Sequence, residues 1–316
     1  MRRINAVFPA YARSLIERQL PPEIDAHWFT TAEEAIALAP EAEIGWFDQQ
    51  VPADIGRAAA AAEKLKWLTS VFAGLDALPL DLLAERGVAI TNGAGLGAIP
   101  VAEYAVMGVL AAAKGFHQVV RAQDRREWPV VPPGNTELWE SSALVIGYGA
   151  IGAAIGERLK GLGVRVTGVR RSPSNDPNII GPDAWRGRLG EFDWVVLAAP
   201  STGETQALLG ESDFAAMRSN AWLINVARGE LVDQDALIAA LRLRRIAGAF
   251  LDVMTPEPLP PENPLWAMPN VIITMHLSGR SQTRLFPRAA ELFARNLRSY
   301  LAGEPLENLV DPARGY

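Results

Sequence analysis

Ala143-Leu144-Val145-Ile146-Gly147-Tyr148-Gly149-Ala150-Ile151-Gly152 is the stretch on which the fold turns. An apolar run leads into three glycines spaced G-x-G-x-x-G, and a helical pattern follows over Ala150–Leu162. A second apolar run, Val164–Val169, comes next. Strand, glycine turn, helix and strand in that order form the unit that binds a dinucleotide. Gly147 makes the tight turn, Gly149 lets the backbone approach a pyrophosphate, and Gly152 allows close packing of helix on sheet. The open N–H groups and the dipole of the helix N-terminus then favour phosphate. The glycine spacing alone also fits a structural turn; the ordered context favours the nucleotide.

The alternation continues on both sides. Downstream lie Trp194–Ala199, Trp222–Val226, Ala247–Asp252 and Val271–Thr274, mostly separated by helical segments. Upstream, Ile4–Phe8, Ile44–Phe47, Leu65–Val71 and Val88–Thr91 alternate with helical stretches such as Thr31–Leu38 and Leu78–Glu85. This pattern predicts mostly parallel sheets covered by helices on both faces. A chain of 316 residues is longer than one core usually sustains, so two domains are expected. Pro100–Lys114 reads as an almost wholly apolar helix carrying Glu103; such a helix must be buried within a domain or between subunits. Gln123–Pro133 is polar and proline-bearing, and reads as a loop or excursion. Leu285, Phe286, Ala289, Leu292, Phe293 and Leu297 recur at helical spacing, with Pro287 tolerable in a first turn.

Composition narrows the function. Hydrophobic residues at 49% and charged residues at 21% are an ordinary globular balance. A net charge of -6 speaks against general binding to nucleic acid or anionic membrane, so an anionic substrate needs locally placed arginines. With no cysteine, disulfides, thiolate metal sites and a cysteine nucleophile are excluded, and no metal site is read. The segment Met1–Leu20 is interrupted by Arg13, Glu17 and Arg18, unlike a signal peptide. No run reaches the roughly 18 apolar residues of a membrane span, and a soluble, cytoplasmic protein is expected.

The end of the second strand bears on the nucleotide. An NAD site usually places a carboxylate there, whereas this chain has Val169-Arg170-Arg171-Ser172. Two guanidiniums and a hydroxyl suit the 2′-phosphate of NADP, although a solvated basic turn has the same composition. NADP(H) is therefore expected over NAD(H).

Three later segments carry polar groups at strand ends, where ligands of open α/β sheets bind. They are Asn225-Val-Ala-Arg228-Gly229-Glu230, Leu251-Asp252-Val-Met-Thr-Pro-Glu257-Pro258 and Thr274-Met275-His276-Leu-Ser-Gly279. Of the three histidines, His27, His117 and His276, only His276 stands at a late strand end.

With these motifs in order, the chain resembles the D-isomer-specific 2-hydroxyacid dehydrogenase family. The resemblance covers nearly the whole chain and rests on Gly147–Gly152, Asn225–Asp233, Gly248–Leu259, Pro264-Leu265-Trp266 and Asn270–His276. The basic turn and the ending Val310–Tyr316 look most like glyoxylate/hydroxypyruvate reductases. The resemblance implies an α/β architecture. A Rossmann-type doubly wound cofactor domain spans residues 97–283, and a flavodoxin-like substrate domain is formed by residues 1–96 and 284–316. The active site is expected in the cleft, with crossings near Gly95–Pro100 and Gly279–Thr283 as hinges, and a homodimer is expected.

The implied catalytic set is Arg228, Glu257 and His276. His276 donates the proton in reduction and accepts it in oxidation, Glu257 holds the far imidazole nitrogen, and Arg228 binds the substrate carboxylate and carbonyl. Cofactor contacts are implied for Gly147, Tyr148, Gly149, Ala150, Ile151 and Gly152, and for Arg170, Arg171 and Ser172. Pro200, Thr205, Val226, Ala227 and Asp252 complete that set; a fold-stabilising role for Asp252 fits almost as well. Substrate contacts are implied for Arg228, His276 and the loop Ser70–Asp76, where Ala73 and Gly74 donate backbone N–H groups. Trp46 could close over a small substrate, or serve equally as a core aromatic.

Some positions depart from the family. Phe72 stands where glycine is frequent, which would narrow the pocket. Met275 replaces a common proline, implying a less rigid backbone, and Glu140-Ser141 replaces a usual glycine–lysine. The expected reaction is reduction of small 2-oxo acids such as glyoxylate and hydroxypyruvate. The alternatives are an NAD-preferring dehydrogenase of a bulkier acid, of phosphoglycerate type, and a non-catalytic nucleotide-sensing protein. The absence of a regulatory domain after residue 316 weighs against the first, and the Arg228–Glu257–His276 set against the second.

Overall fold

The computed structural model describes residues 3–172, 174–280 and 282–311. Of the ending that resembles the reductases, residues 312–316 lie outside the described residues, as does Ser281 in the second expected hinge. The chain forms two compact units, one of residues up to Gly97 together with those from Gln282, the other beginning at Ala98.

In the first unit, β1 (Ile4–Pro9), β2 (Ile24–Phe29), β3 (Ile44–Gly45), β4 (Trp67–Thr69) and β5 (Ala89–Thr91) pair in parallel. Their order, β2-β1-β3-β4-β5, is that of flavodoxin-like sheets. β1 sits between its neighbours in register, Ile4 opposite Ile24 and Ala6 opposite Ile44. The helix Ala32–Leu38 begins where Thr31 and Glu34 form a reciprocal capping box. The last helix, Leu285–Ala302, belongs to this unit because its aromatic face packs on the sheet. Trp67 stacks on Phe293 and on Tyr300, each at 5.4 Å between ring centres. β2 is absent from the sequence expectation. It is an edge strand whose middle residues, Asp25 to Trp28, are only half-buried, so it carries no continuous apolar run.

The second unit holds β6 (Ser142–Ile146), β7 (Arg165–Val169), β8 (Ile179–Ile180) and β9 (Trp194–Leu197). It continues with β10 (Trp222–Asn225), β11 (Gly248–Leu251) and β12 (Val271–Ile273). All pair in parallel in the order β12-β11-β10-β9-β6-β7-β8. Counted from β6, that is the 3-2-1-4-5-6 arrangement of Rossmann-type sheets with one strand added. β6, β9 and β11 are buried throughout because helices cover both faces, which is why they read as unbroken apolar runs. β8, only two residues long, gave no sequence signal.

The apolar helix runs over Ala98–Ala113 and seats Gly108 against the Phe250 ring of β11, where an added Cβ would come within 2.6 Å. It is not buried all round. Met107 and Leu110 on its far side are exposed. A further helix, Phe116–Asp124, reaches into the start of the expected excursion, beyond which Trp128 and Val130 are fully displayed. No single helix among the described residues is long and apolar enough to cross a membrane.

Candidate active site

The implied catalytic residues follow three neighbouring strands of the second unit. Arg228 comes after β10, Glu257 after β11 and His276 after β12, all at the carboxyl edge of the sheet. His276 Nδ1 and Glu257 Oε2 are 2.7 Å apart, an ion-pair distance. The other carboxylate oxygen accepts from the Met254 N–H at 3.0 Å. Burial alone would raise the Glu257 pKa. The bonds from His276 and Met254, with the charges of His276 and Arg228, outweigh it and hold the carboxyl below its ordinary value. Glu257 is therefore an anion at neutral pH, and with Nδ1 engaged, Nε2 is the imidazole nitrogen left for chemistry.

The turn carrying Arg228 is built by Asn225, which is buried. Its side chain accepts from the Ala227 N–H and donates to the Arg228 carbonyl. Arg228 itself donates to the Ala227 carbonyl at 2.9 Å. Gly229 lies so close to Met254 that any Cβ would strike that backbone, which locks the arginine turn onto the Glu257 loop.

Asp252 has the contacts of the fold-stabilising role that the sequence also allowed. It is fully buried, and its oxygens accept from the Thr274 hydroxyl at 2.7 Å and from the N–H groups of Leu277 and Ser278. The carboxylate thus holds the His276 loop from beneath. It has reason to. Met275 and His276 take φ values of 50° and 55°, the left-handed region that side chains resist. Proline could not adopt the Met275 backbone, so this position is a different local conformation, and the expected loosening is met by the Asp252 ties.

The glycine loop closes as its chemistry requires. Gly147 has φ of 96°, and a Cβ there would run into the backbone of Ala198 and Ala199. A Cβ on Gly152 would strike the Gly147 carbonyl. On Gly149 it would enter open space beside the N-terminus of the helix Ala150–Gly161, which no side chain caps. The first-turn N–H groups, including those of Ala150 and Ile151, therefore face an open approach suited to a diphosphate. The Tyr148 ring folds away over Gly156 and Gly168, leaving only backbone for a cofactor.

Beyond β7, Arg170 Nε donates to the Ser172 carbonyl at 2.8 Å and Arg171 pairs with Glu204 at 3.1 Å. Both guanidiniums are exposed at the strand end, and β7 is three strand spacings from β10, about 14 Å. Thr205 closes its own turn, donating to the Pro200 carbonyl and accepting from the Thr202 N–H. Val226 and Ala227 are buried, so their contribution to a cofactor is limited to backbone.

The model of the family described as "D-isomer specific 2-hydroxyacid dehydrogenase, NAD binding domain" matches residues 106–278. The chain is 34% identical over 260 residues to a glyoxylate reductase of Korarchaeum cryptofilum, covering 79% of this chain and 77% of that one. The chain belongs to the D-isomer specific 2-hydroxyacid dehydrogenase family. A D-3-phosphoglycerate dehydrogenase of Methanocaldococcus jannaschii is 32% identical over 254 residues, 79% of this dehydrogenase but 48% of that protein. The solved structure of a D-isomer specific 2-hydroxyacid dehydrogenase from Xanthobacter autotrophicus Py2, in complex with NADPH and MES, has a TM-score of 0.78 and 30% identity, covering 100% of both chains.

In the first unit of this dehydrogenase, the loop after β4 carries Ala73 and Gly74. Among the described residues nothing accepts from their N–H groups, while the loop around them is tied down. Asn92 donates to the Ala73 carbonyl at 2.8 Å, and the Gly93 N–H to the Phe72 carbonyl at 2.9 Å. Trp46 lies in the core of this unit. It is 1% exposed, packs against Tyr11 and Phe293, and donates from Nε1 to Asp48. The core reading of Trp46 is the one the packing supports, and the lid reading is corrected. Asp48 and Asn92 were missed, since neither sits in a motif and both act across sequence gaps.

Proposed function

We propose that this dehydrogenase reduces small 2-oxo acids, such as glyoxylate and hydroxypyruvate, with NADPH. The observation that carries the reading is the Glu257–His276 pair at 2.7 Å beside Arg228, on three adjacent strand ends. When bound in the glycine loop, the nicotinamide cofactor supplies the hydride that reaches C2 of the acid. His276 gives a proton from Nε2 to the carbonyl oxygen, and the Glu257 anion stabilises the imidazolium until it does. Arg228 pairs with the substrate carboxylate and polarises the carbonyl. In the first unit, the N–H groups of Ala73 and Gly74 offer donors suited to a carboxylate. Run backwards, His276 is the base.

The preference for NADPH is supported by Arg170 and Arg171 at the end of β7, where a carboxylate would repel a 2′-phosphate. The NADPH-bound relative at 30% identity supports it too. The relative that is a D-3-phosphoglycerate dehydrogenase supports a second reading, an NAD-linked enzyme of a bulkier acid. Steady-state kinetics with NADPH and NADH on glyoxylate, hydroxypyruvate and 3-phosphoglycerate separate the two. A strong preference for NADH refutes the arginine argument. The reading also includes a cytoplasmic homodimer. Met107, Leu110, Phe116, Val119 and Val120 are exposed apolar residues on two consecutive helices, and Trp128 and Val130 beyond them are exposed as well. Sedimentation velocity at micromolar protein should give a dimer; a monomer refutes it.

A further inference from the structure

Asp48 lies just past β3 and is 2% exposed, yet among the described residues it pairs with no cation. Its contacts are all donors. Oδ2 accepts from Trp46 Nε1 at 2.9 Å and from the Val71 N–H at 2.6 Å, and Oδ1 accepts from the Ser70 hydroxyl at 2.8 Å. Ser70 Oγ in turn accepts from the Phe72 N–H at 3.1 Å. Three consecutive residues at the root of the Ala73–Gly74 loop are therefore referred, directly or through one hydroxyl, to a single buried carboxylate. A buried ionisable group is expensive to keep where an apolar residue would pack, so its retention asks for a return. The return is geometric: residues 70–72 are pinned on one side while Asn92 pins Ala73 on the other.

We infer that Asp48 is a positioning residue for substrate binding, fixing the loop so that the Ala73 and Gly74 N–H groups converge on the carboxylate of the 2-oxo acid. The inference rests on the function proposed above. It assigns Asp48 no contact with substrate or cofactor.

The test is kinetic, on the full-length enzyme with NADPH. Asp48→Ala leaves the Val71 N–H and Trp46 Nε1 without an acceptor and frees the loop. KM for glyoxylate should rise about ten-fold, with kcat and KM for NADPH within about two-fold, the pattern of lost ground-state binding. Asp48→Asn should rescue most of this, because the carboxamide oxygen can accept from Trp46 and Val71 while its nitrogen donates to Ser70. Hydrogen exchange over residues 70–75 should quicken in Asp48→Ala and not in Asp48→Asn. An unchanged glyoxylate KM in a folded Asp48→Ala enzyme overturns the inference, as does an equal loss in both variants. Should Asp48→Ala fail to fold, Ser70→Ala decides: KM should rise about three-fold through loss of the relay to Phe72, and an unmoved KM overturns the inference. If the wild-type enzyme itself turns over no 2-oxo acid, the parent reading fails rather than the role of Asp48.

Discussion

Replacing Arg170 and Arg171 together by alanine tests the cofactor assignment most directly. The 2′-phosphate brings nearly two negative charges, and a hydrogen bond to a charged group contributes about 1.5–3 kcal/mol where solvent is excluded. Here it is not excluded. The Arg171 side chain is 54% exposed, so each guanidinium is better rated on the scale of exposed ion pairs, about 1 kcal/mol. Two such contacts, taken as additive, come to about 2 kcal/mol, or roughly a thirty-fold loss. Part of the Arg171 contribution is already engaged by Glu204 at 3.1 Å, and the phosphate must displace or share that carboxylate. Glu204→Gln should therefore raise the preference for NADPH by about two-fold, a change on the scale of an exposed pair. The assay is kcat/KM for NADPH and NADH at saturating glyoxylate, repeated at high salt. The double variant should lose about thirty-fold with NADPH and less than about two-fold with NADH, and salt should compress the wild-type preference. Equal losses with both coenzymes, or an intact preference in the double variant, would refute the reasoning.

His276→Ala should retain NADPH binding, measured by fluorescence, and lose reductase activity by about a hundred-fold or more, the contribution of a positioned general acid; full activity overturns its role. Glu140, with φ of 64°, holds a left-handed backbone, the region that favours glycine. Glu140→Gly should relieve about 1 kcal/mol of strain and raise Tm by a few degrees, and a lowered Tm contradicts this. Burial pushes the Asp48 carboxyl up to about 6, against the opposing pull of its hydrogen bonds to Val71, Ser70 and Trp46. The folded state therefore holds that proton more tightly than the unfolded chain. Its contribution to stability is fully present below about pH 4, is lost as pH rises to about 6, and stays lost above that. The difference in unfolding free energy between Asp48→Asn and wild type should shift by up to about 3 kcal/mol toward the variant over that window; a constant difference from pH 4 to 8 refutes it.

Much of the molecule is legible in its sequence. The alternation of buried strands with helices, the glycine turn and the three polar strand ends are local patterns, because a parallel strand covered on both faces must be apolar along its length. The motif Gly147–Gly152 states its own backbone requirements, and the packing around Gly147 and Gly152 leaves no room for a Cβ. What the residues alone could not settle concerns partners brought from far along the chain. β2 escaped because an edge strand buries only part of each residue, leaving Asp25 and His27 in a run that reads as polar. Trp46 looked as suitable for a lid as for a core until Asp48, Tyr11 and Phe293 closed around it. Asp252 and Asp48 are the clearest cases. A carboxylate in a sequence is only an acceptor, and whether it meets a ligand or gathers the N–H groups of a distant loop depends on which loops fold over it. Here the Asp252 loop partners are 22 to 26 residues away and the Asp48 loop partners 22 and 23, a separation at which side-chain spacing carries no information about direction.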